Sequence, residues 1–250
     1  MPPVTAVLGQ LRVEAKTNEH KAALQLLGIL PLQGKIVTGD AMFCQKDVCA
    51  KVRERGGDYV FTVKDNQPQL HFNIAAMFAE SASFSPYQQQ RWESEQDCGT
   101  TINKGHGRLE KRTLRATPVL QSYLADWPGI AQVFQLHRVR QLRDKVEQET
   151  VYGISSLPVG RADACRILEL VRGHWGIENR LHGVRDVTLG EDGCRVRSGS
   201  APEVLAATRN AVVHLLEGVE AVSKAAALRR FAIVPLEAFA LLTNSPPPDN

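Results

Sequence analysis

Apolar and polar positions along this chain follow two periods, one near two residues and one near 3.6. The run VTAVLGQLRV, residues 4–13, alternates enough to predict a strand, and EAKTNEH closes it with polar residues. Asn18 is a suitable N-cap for a helix in which Leu24, Leu27 and Ile29 face inward, and Pro31 and Gly34 end it. KIVTGDA is a short apolar run that stops at Asp40. QKDVCAKVRERG has the pattern of an amphipathic helix closed by Gly56 and Gly57, and DYVFTVK that of a buried strand. Strand, helix and strand in this order predict a βαβ unit with a parallel neighbour pair. A buried strand ending in Gly-Asp sets Asp40 at the carboxyl edge of a sheet, where open α/β sheets present ligand-binding groups, although an ordinary loop-capping aspartate has the same pattern.

Beyond Lys64 the regularity weakens. Leu70, Ile74, Met77 and Phe78 predict a helix over 69–80, and the Ser-, Gln- and Gly-rich stretch 81–105 is expected to be loop. GRLEKRTLRATPV, IAQVFQLHRVRQL and VEQETVYGISSL alternate as three antiparallel strands. A long helix returns from Asp163. After the loop LGEDGCRVRSGS a further helix starts at Ala201-Pro202 with Leu205, Val212, Val213 and Leu216 inward, and a last one spans Val234 to Leu242. The resulting division is a half-core over 1–68, a β-rich insertion over 69–160, a second half-core with C-terminal helices over 161–243, and a disordered tail, NSPPPDN, over 244–250.

The helix after Asp163 carries an anomaly. Leu168, Val171 and Trp175 form an apolar stripe, and Glu178 falls next on it, where a leucine is expected. An inward carboxylate costs several kcal/mol unless it is paired, hydrogen-bonded or metal-bound, so Glu178 has either a partner or a function. His174, Glu178 and His182 share one helix face, with Arg185 two turns past the glutamate. An ion pair of Glu178 with Arg185 or Arg172 is one reading. A transition-metal site built on the two histidines and Glu178 is another.

Composition narrows the choice. The chain has 250 residues, 43% of them hydrophobic, enough for a full core. No stretch approaches the eighteen or so apolar residues of a membrane span, and the N-terminus lacks a signal-peptide pattern, so the expected setting is cytoplasmic with no membrane partner. Five cysteines without a CxxC pair point to reduced thiols, with Cys44 and Cys49 as small buried hydrophobes. The net charge of +3 is mild but uneven. Arg108, Lys111, Arg112 and Arg115 form one basic cluster, Arg138, Arg140, Arg143 and Lys145 a second, and Arg195 and Arg197 a third, which favours a polyanionic partner.

GKIVTGDAMFCQKDVCAKV, DYVFTVKDNQ, HGRLE, YGISSL and HWGIENRLHGVRDVTLGED together resemble the insertion-sequence transposases of the H-repeat, Rhs-associated type. The resemblance runs in order from about Leu8 to about Leu216. It implies a DDE transposase of α/β class, with a ribonuclease-H-like core and a β-rich insertion before the last catalytic helix. It further implies strand cleavage and transfer by two-metal carboxylate chemistry, with Mg²⁺ or Mn²⁺ as cofactor. Asp40 carries over as the second catalytic aspartate and metal ligand, and Glu178 as the catalytic glutamate and metal ligand. Where related enzymes have Tyr, Arg and Lys around that glutamate, this chain has Val171, His174 and Arg185. Lys64, Asn66, Arg108, Arg172, His174 and Arg185 are the expected DNA contacts. The implied partner is double-stranded DNA at transposon ends, bound by a homo-oligomer in the nucleoid. No aspartate precedes Asp40, so the first catalytic aspartate and the first core strand are expected to be missing and catalysis impaired, leaving a DNA-binding remnant as the alternative. Gly183, where the family usually has Trp, is a further departure.

Overall fold

The computed structural model describes residues 7–11, 19–80, 96–105, 107–142, 145–177 and 181–243. The chain divides into two compact units, Val13–His174 on one hand and Met1–Arg12 with Trp175–Asn250 on the other.

In the larger unit the expected βαβ element is present. Helix α1 (Glu19–Ile29) leads into strand β1 (Ile36–Gly39), a short 3₁₀ turn (Ala41–Phe43), helix α2 (Lys46–Glu54) and strand β2 (Asp58–Val63). The two strands run parallel, with Ile36 opposite Asp58 and Gly39 opposite Phe61. All six residues of β2 are buried, as a strand covered on both faces requires. Helix α3 (Pro68–Glu80) follows, then strands β3 (Asp97–Gly105), β4 (Arg108–Thr117), β5 (Gln132–Leu142) and β6 (Lys145–Ser155), and helix α4 (Ala164–Ile177). The six strands form one sheet in the order β1-β2-β6-β5-β4-β3. Strand β2 joins β6 antiparallel, Val60 opposite Ser155 and Val63 opposite Tyr152.

Alternation along the strands sorts side chains into two cores. On one face Tyr59, Phe61 and Val63 pack with Val48, Cys49 and Val52 of α2 and Leu70, Ile74 and Phe78 of α3. On the other, Val60, Leu114, Phe134 and Leu136 pack with Ile167, Leu168 and Val171 of α4. Two tight points hold the join between the parallel pair and the antiparallel strands. A Cβ at Gly153 would lie 2.1 Å from the Phe134 ring and 2.6 Å from the Phe61 carbonyl, so only glycine fits there. At the head of β2 the buried Asp58 carboxylate accepts from Arg53, from Arg161 Nη1 at 2.7 Å and from Ser156 Oγ at 3.0 Å. Three donors on one carboxylate make its burial tolerable.

The smaller unit holds a π-helical turn (Val184–Thr188) and helices α5 (Ala201–Glu217), α6 (Lys224–Ile233) and α7 (Pro235–Thr243). Residues 7–11 belong to it. Gln10 donates to the Glu203 carbonyl at 3.1 Å and accepts from Asn210 Nδ2 at 2.8 Å.

The strands of the expected β-rich insertion continue the sheet of β2. Several expectations are corrected. The stretch 81–105, expected to be loop, contains β3, whose polar alternation is that of an edge strand with one solvated face. The strand expected over 4–13 is absent from its described residues, 7–11, where Leu8 is 79% exposed and the side chain of Gln10 is committed to α5. Ile29 does not face inward but is 69% exposed, because Leu30 and Leu32 at the end of the turn take the core contacts. Helix α6 is not among the predicted elements; Ser223 caps it, accepting from Ala226 N at 3.1 Å. The N-cap expected at Asn18 and the tail 244–250 lie outside the described residues. Among those described, no helix is long and apolar enough to cross a membrane.

Burial of Cys44 and Cys49 matches expectation and has an alkaline consequence. Burial pushes the Cys49 thiol from 9.0 to about 12, and burial pushes Cys44 and Tyr59 higher still. An unfolded chain releases these protons at lower pH than the native one, so unfolding is favoured as pH rises above about 9. Denaturant titrations between pH 8 and 11 are expected to show stability falling, each such group adding up to about 1.4 kcal/mol per pH unit. A flat profile would remove this account of the three buried groups.

Candidate active site

The loop that follows β1 is shaped by a glycine and an aspartate. At Gly39 a Cβ would stand 3.0 Å from Phe43 Cβ and 3.1 Å from the Phe61 ring, so the strand end lies flush against both phenylalanines. Asp40 has an extended backbone, φ −74° and ψ −177°, and caps the 3₁₀ turn: its Oδ1 accepts from Met42 N at 3.1 Å. The loop-capping and functional readings of Asp40 are therefore compatible. One backbone N–H orients an exposed carboxylate at the carboxyl end of a parallel strand, and hard oxygen donors of this kind suit Mg²⁺ or Mn²⁺.

The residues after β2 brace this turn. Asn66 Nδ2 donates to the Ala41 carbonyl at 2.6 Å, and Gln67 Nε2 donates to the Cys44 carbonyl at 3.1 Å and to Gln45 Oε1 at 2.9 Å. Asn66, one of the expected DNA contacts, thus has a bracing contact that fixes the loop carrying Asp40. Lys64, at the end of β2, is exposed, and its carbonyl accepts from Gln67 N at 3.0 Å.

Helix α4 brings two more of the expected residues to the same sheet. His174 Nδ1 and Thr38 Oγ1 share a hydrogen bond of 3.3 Å, and Thr38 stands two residues before Asp40 on β1. This contact puts the end of α4 beside the strand that presents Asp40. Arg172, two residues earlier, is exposed and repels Arg112 of β4. Arg108 begins β4, which β2, β6 and β5 separate from β1 in the sheet, and its Nε lies 4.0 Å from Glu110. Within unit Val13–His174 the structure thus gathers Asp40, Asn66 and Lys64 at one loop cluster and His174 at a strand next to it, and leaves Arg108 elsewhere.

Glu178 lies outside the described residues. In the smaller unit Arg185 sits in the π-helical turn, a local widening often found at functional sites. Its guanidinium is paired bidentately with Glu191, Nε to Oε2 and Nη2 to Oε1, each at 2.5 Å. The hydrogen bond to Glu191 raises the affinity of Arg185 for its proton and lowers that of Glu191. Arg185 thus has a carboxylate partner in Glu191, and the ion pairs considered for Glu178 lie outside the described residues. His182 is exposed. Among the described residues no group of three or more His, Cys, Asp or Glu is placed to hold a metal. The two-histidine metal site includes Glu178, which lies outside those residues.

With the geometry in view, comparison with known proteins identifies the class. The family described as "Transposase DDE domain" matches residues 4–216, and the chain belongs to that family. Its mixed sheet with helices on both faces is compatible with a DDE transposase fold. The relatives are narrower in kind. The chain is 32% identical over 217 residues to the "H repeat-associated putative transposase YhhI" of Escherichia coli K12, covering 84% of this chain and 54% of that one. It is 35% identical over 216 residues to the "Putative transposase YncI" of E. coli O157:H7, covering 84% and 53%. It is 33% identical over 217 residues to the "Putative protein YbfL" of E. coli K12, covering 84% and 54%. The chain therefore spans about half the length of the curated relatives it matches. A solved sugar N-methyltransferase, KedS8 of Streptoalloteichus, aligns at 13% identity and a TM-score of 0.23 over 54% of this chain and 47% of that one, too weak a likeness to bear on the fold.

The bracing contact is testable by itself. Asn66→Ala is expected to lower the free energy of unfolding by about 1 kcal/mol in urea titration, while Lys64→Ala stays within roughly 0.5 kcal/mol of the parent. Equal effects of the two would mean that Asn66 does not hold the turn.

Proposed function

We propose that this chain is the catalytic segment of an insertion-sequence transposase that cleaves and joins DNA strands by metal-dependent carboxylate chemistry on a ribonuclease-H-like core. One joint observation carries the reading: a DDE family match over residues 4–216, with Asp40 presented at the carboxyl end of a parallel strand. The carboxylates of Asp40 and Glu178 would hold Mg²⁺ or Mn²⁺. Metal bound there would supply polarisation of the scissile phosphodiester and activation of water or a 3′-hydroxyl for in-line attack. The chain's own residues set the stage. Met42 N orients the Asp40 carboxylate, Asn66 and Gln67 keep its loop from swinging, and Thr38 ties β1 to His174, four residues before Glu178 in sequence. Lys64, Arg172 and His174 are cationic or hydrogen-bonding groups suited to the phosphates of double-stranded DNA at transposon ends. Assembly as a homo-oligomer on that DNA and a nucleoid location in the cytoplasm complete the proposal.

A second reading is a DNA-binding protein that does not cut. It is favoured by the basic clusters along the chain, which need no metal to bind DNA. Strand β1 forms one edge of the sheet, with β2 as its partner among the described residues. A further carboxylate-bearing strand beside β1 would complete a set of three carboxylates with Asp40 and Glu178.

A supercoiled-plasmid nicking assay with Mn²⁺ or Mg²⁺ separates the readings. The 250-residue chain is expected to nick weakly or not at all, and a version extended by a family-like strand with its aspartate to nick in a metal-dependent way. Asp40→Ala and Glu178→Gln in the extended version are expected to reduce nicking by at least about 100-fold and to leave DNA binding intact. Normal nicking by either variant would remove that residue from the metal site. No cleavage by the extended version would leave the binding-only reading.

A further inference from the structure

The two basic clusters seen along the sequence become one face in the folded sheet. Register sets Glu110 opposite Arg140 and Arg112 opposite Arg138 across β4 and β5, and Arg138 opposite Glu149 and Arg140 opposite Glu147 across β5 and β6. This face also carries Leu114, Phe134 and Leu136 further along, where α4 covers it. At its other end Glu110 is only 3% exposed and is ringed by four guanidinium groups. Arg112 Nη2 lies 2.8 Å away, Arg140 Nη2 3.8 Å, Arg138 Nε 3.9 Å and Arg108 Nε 4.0 Å. Only Arg112 is within hydrogen-bonding distance. One carboxylate thus faces four cations and satisfies one of them closely.

A second, independent feature lies at the same place. Among the described residues, Glu110 Oε1, Arg140 Nε and Thr101 Oγ1 are buried side-chain atoms with no hydrogen-bond partner. Thr101 stands opposite Arg112 on β3, so the three mark neighbouring positions on three adjacent strands. Buried polar atoms left unsatisfied cost about 1–3 kcal/mol each, and of these Arg140 Nε is a donor that an anionic oxygen would satisfy. Burial lowers the Arg112 affinity for its proton; Glu110 opposes this, and the nearby Arg172 and Arg138 add to it. Glu149 pairs with Arg138, and Glu147 pairs with Lys145 and lies 3.6 Å from Arg140 Nη1, so Arg108, Arg112, Arg138, Arg140 and Lys145 face three carboxylates and an excess of positive charge remains.

We propose that Arg108, Arg112, Arg138 and Arg140, held in place by Glu110, form a binding site for the phosphodiester backbone of duplex DNA. The inference rests on the reading that the chain acts on DNA, and it assigns part of that binding to β4 and β5, separated from β1 in the sheet by β2 and β6. Guanidinium groups present planar forks of N–H donors that match phosphate oxygens and remain charged at every physiological pH. Arg138 and Arg140, two residues apart on one strand, are roughly 7 Å apart along it, far enough to serve separate phosphates. Glu110 aims the forks before DNA arrives and weakens the site by its charge. Contacts of this kind position the duplex and carry no base sequence information.

The test is fluorescence anisotropy of the 250-residue chain on a labelled random-sequence duplex, in EDTA, over a KCl series. Arg138→Gln/Arg140→Gln is expected to weaken binding at least about tenfold and to reduce the slope of log affinity against log salt by about 2, one unit for each lost phosphate. Arg138→Lys/Arg140→Lys keeps most of the slope, and Lys35→Gln/Arg229→Gln, with the same charge change elsewhere, leaves it unaltered. Glu110→Gln is expected to tighten binding about threefold or more, opposite in sign to a loss of structure. On the unsubstituted protein, where no folding defect can intervene, bound duplex is expected to protect Arg138 and Arg140 from phenylglyoxal. An unchanged slope in the Gln pair, or no protection of these arginines, overturns the site. Metal is absent throughout, so failure of nicking with these effects intact sinks only the catalytic reading, and nicking with an unchanged slope sinks only this one.

Discussion

The seam between β2 and β6 is the constraint on which the larger unit depends. On one side of β2 lies a parallel partner reached through a helix, on the other an antiparallel strand that leads out into β5, β4 and β3. Such a junction survives only if both faces are filled and the strand ends are pinned. Phe61 and Phe134 fill it so closely that Gly153 has no room for a side chain, and Asp58 pins the start of β2 to Arg53, Arg161 and Ser156. Any slip in register there would turn the whole of β6 over and exchange its core face for its solvent face. The positions of Asp40 and of the arginine face, at different places on one sheet, both follow from that seam.

From this frame the candidate active site takes its rigidity second-hand. Asp40 is exposed and makes a single side-chain bond to Met42 N, yet the loop it belongs to is tied to the residues after β2 by Asn66 and Gln67. A carboxylate that is oriented by backbone but still open to solvent retains lone pairs for a cation, whereas the buried and saturated Asp58 does not. Two aspartates at neighbouring strands therefore have opposite roles, and their environments separate them: three donors and burial for one, one donor and exposure for the other.

Charge is distributed with a similar division. Arg53 and Arg161 are consumed by Asp58, and Arg185 by Glu191 in the smaller unit, so these contribute to structure. Around Glu110 the balance tips the other way: Arg138 also pairs with Glu149 and Arg140 stands near Glu147, yet the cations there outnumber the carboxylates. A mildly basic chain can in this way carry a strongly basic place. Net charge alone gives no sign of it, since the outcome depends on which cations are already paired.

Much of the secondary structure was legible in the residues, because apolar periodicity and turn chemistry act locally. The βαβ unit, the helix α3, the three alternating strands and the helix after Asp163 lie where those patterns predict. Asp40 could be singled out because Gly-Asp after a buried run is itself a local signal. Strand β3 could not, as DCGTTINKG has the composition of a loop and becomes a strand only through nine paired positions on β4. Gln10 and the stretch around it failed as a strand for the converse reason: long-range bonds to α5 outweighed a weak local preference. The pairing of Arg185 with Glu191 and the bracing role of Asn66 are likewise contacts between segments, invisible to helical spacing. The sequence by itself determined which stretches become helix or strand and which residue types could hold a metal or a phosphate, since both are properties of single residues and their near neighbours. Only the tertiary structure decided that two separate basic runs share one face around Glu110, because strand register, set by packing across the sheet, determines which distant side chains stand opposite each other.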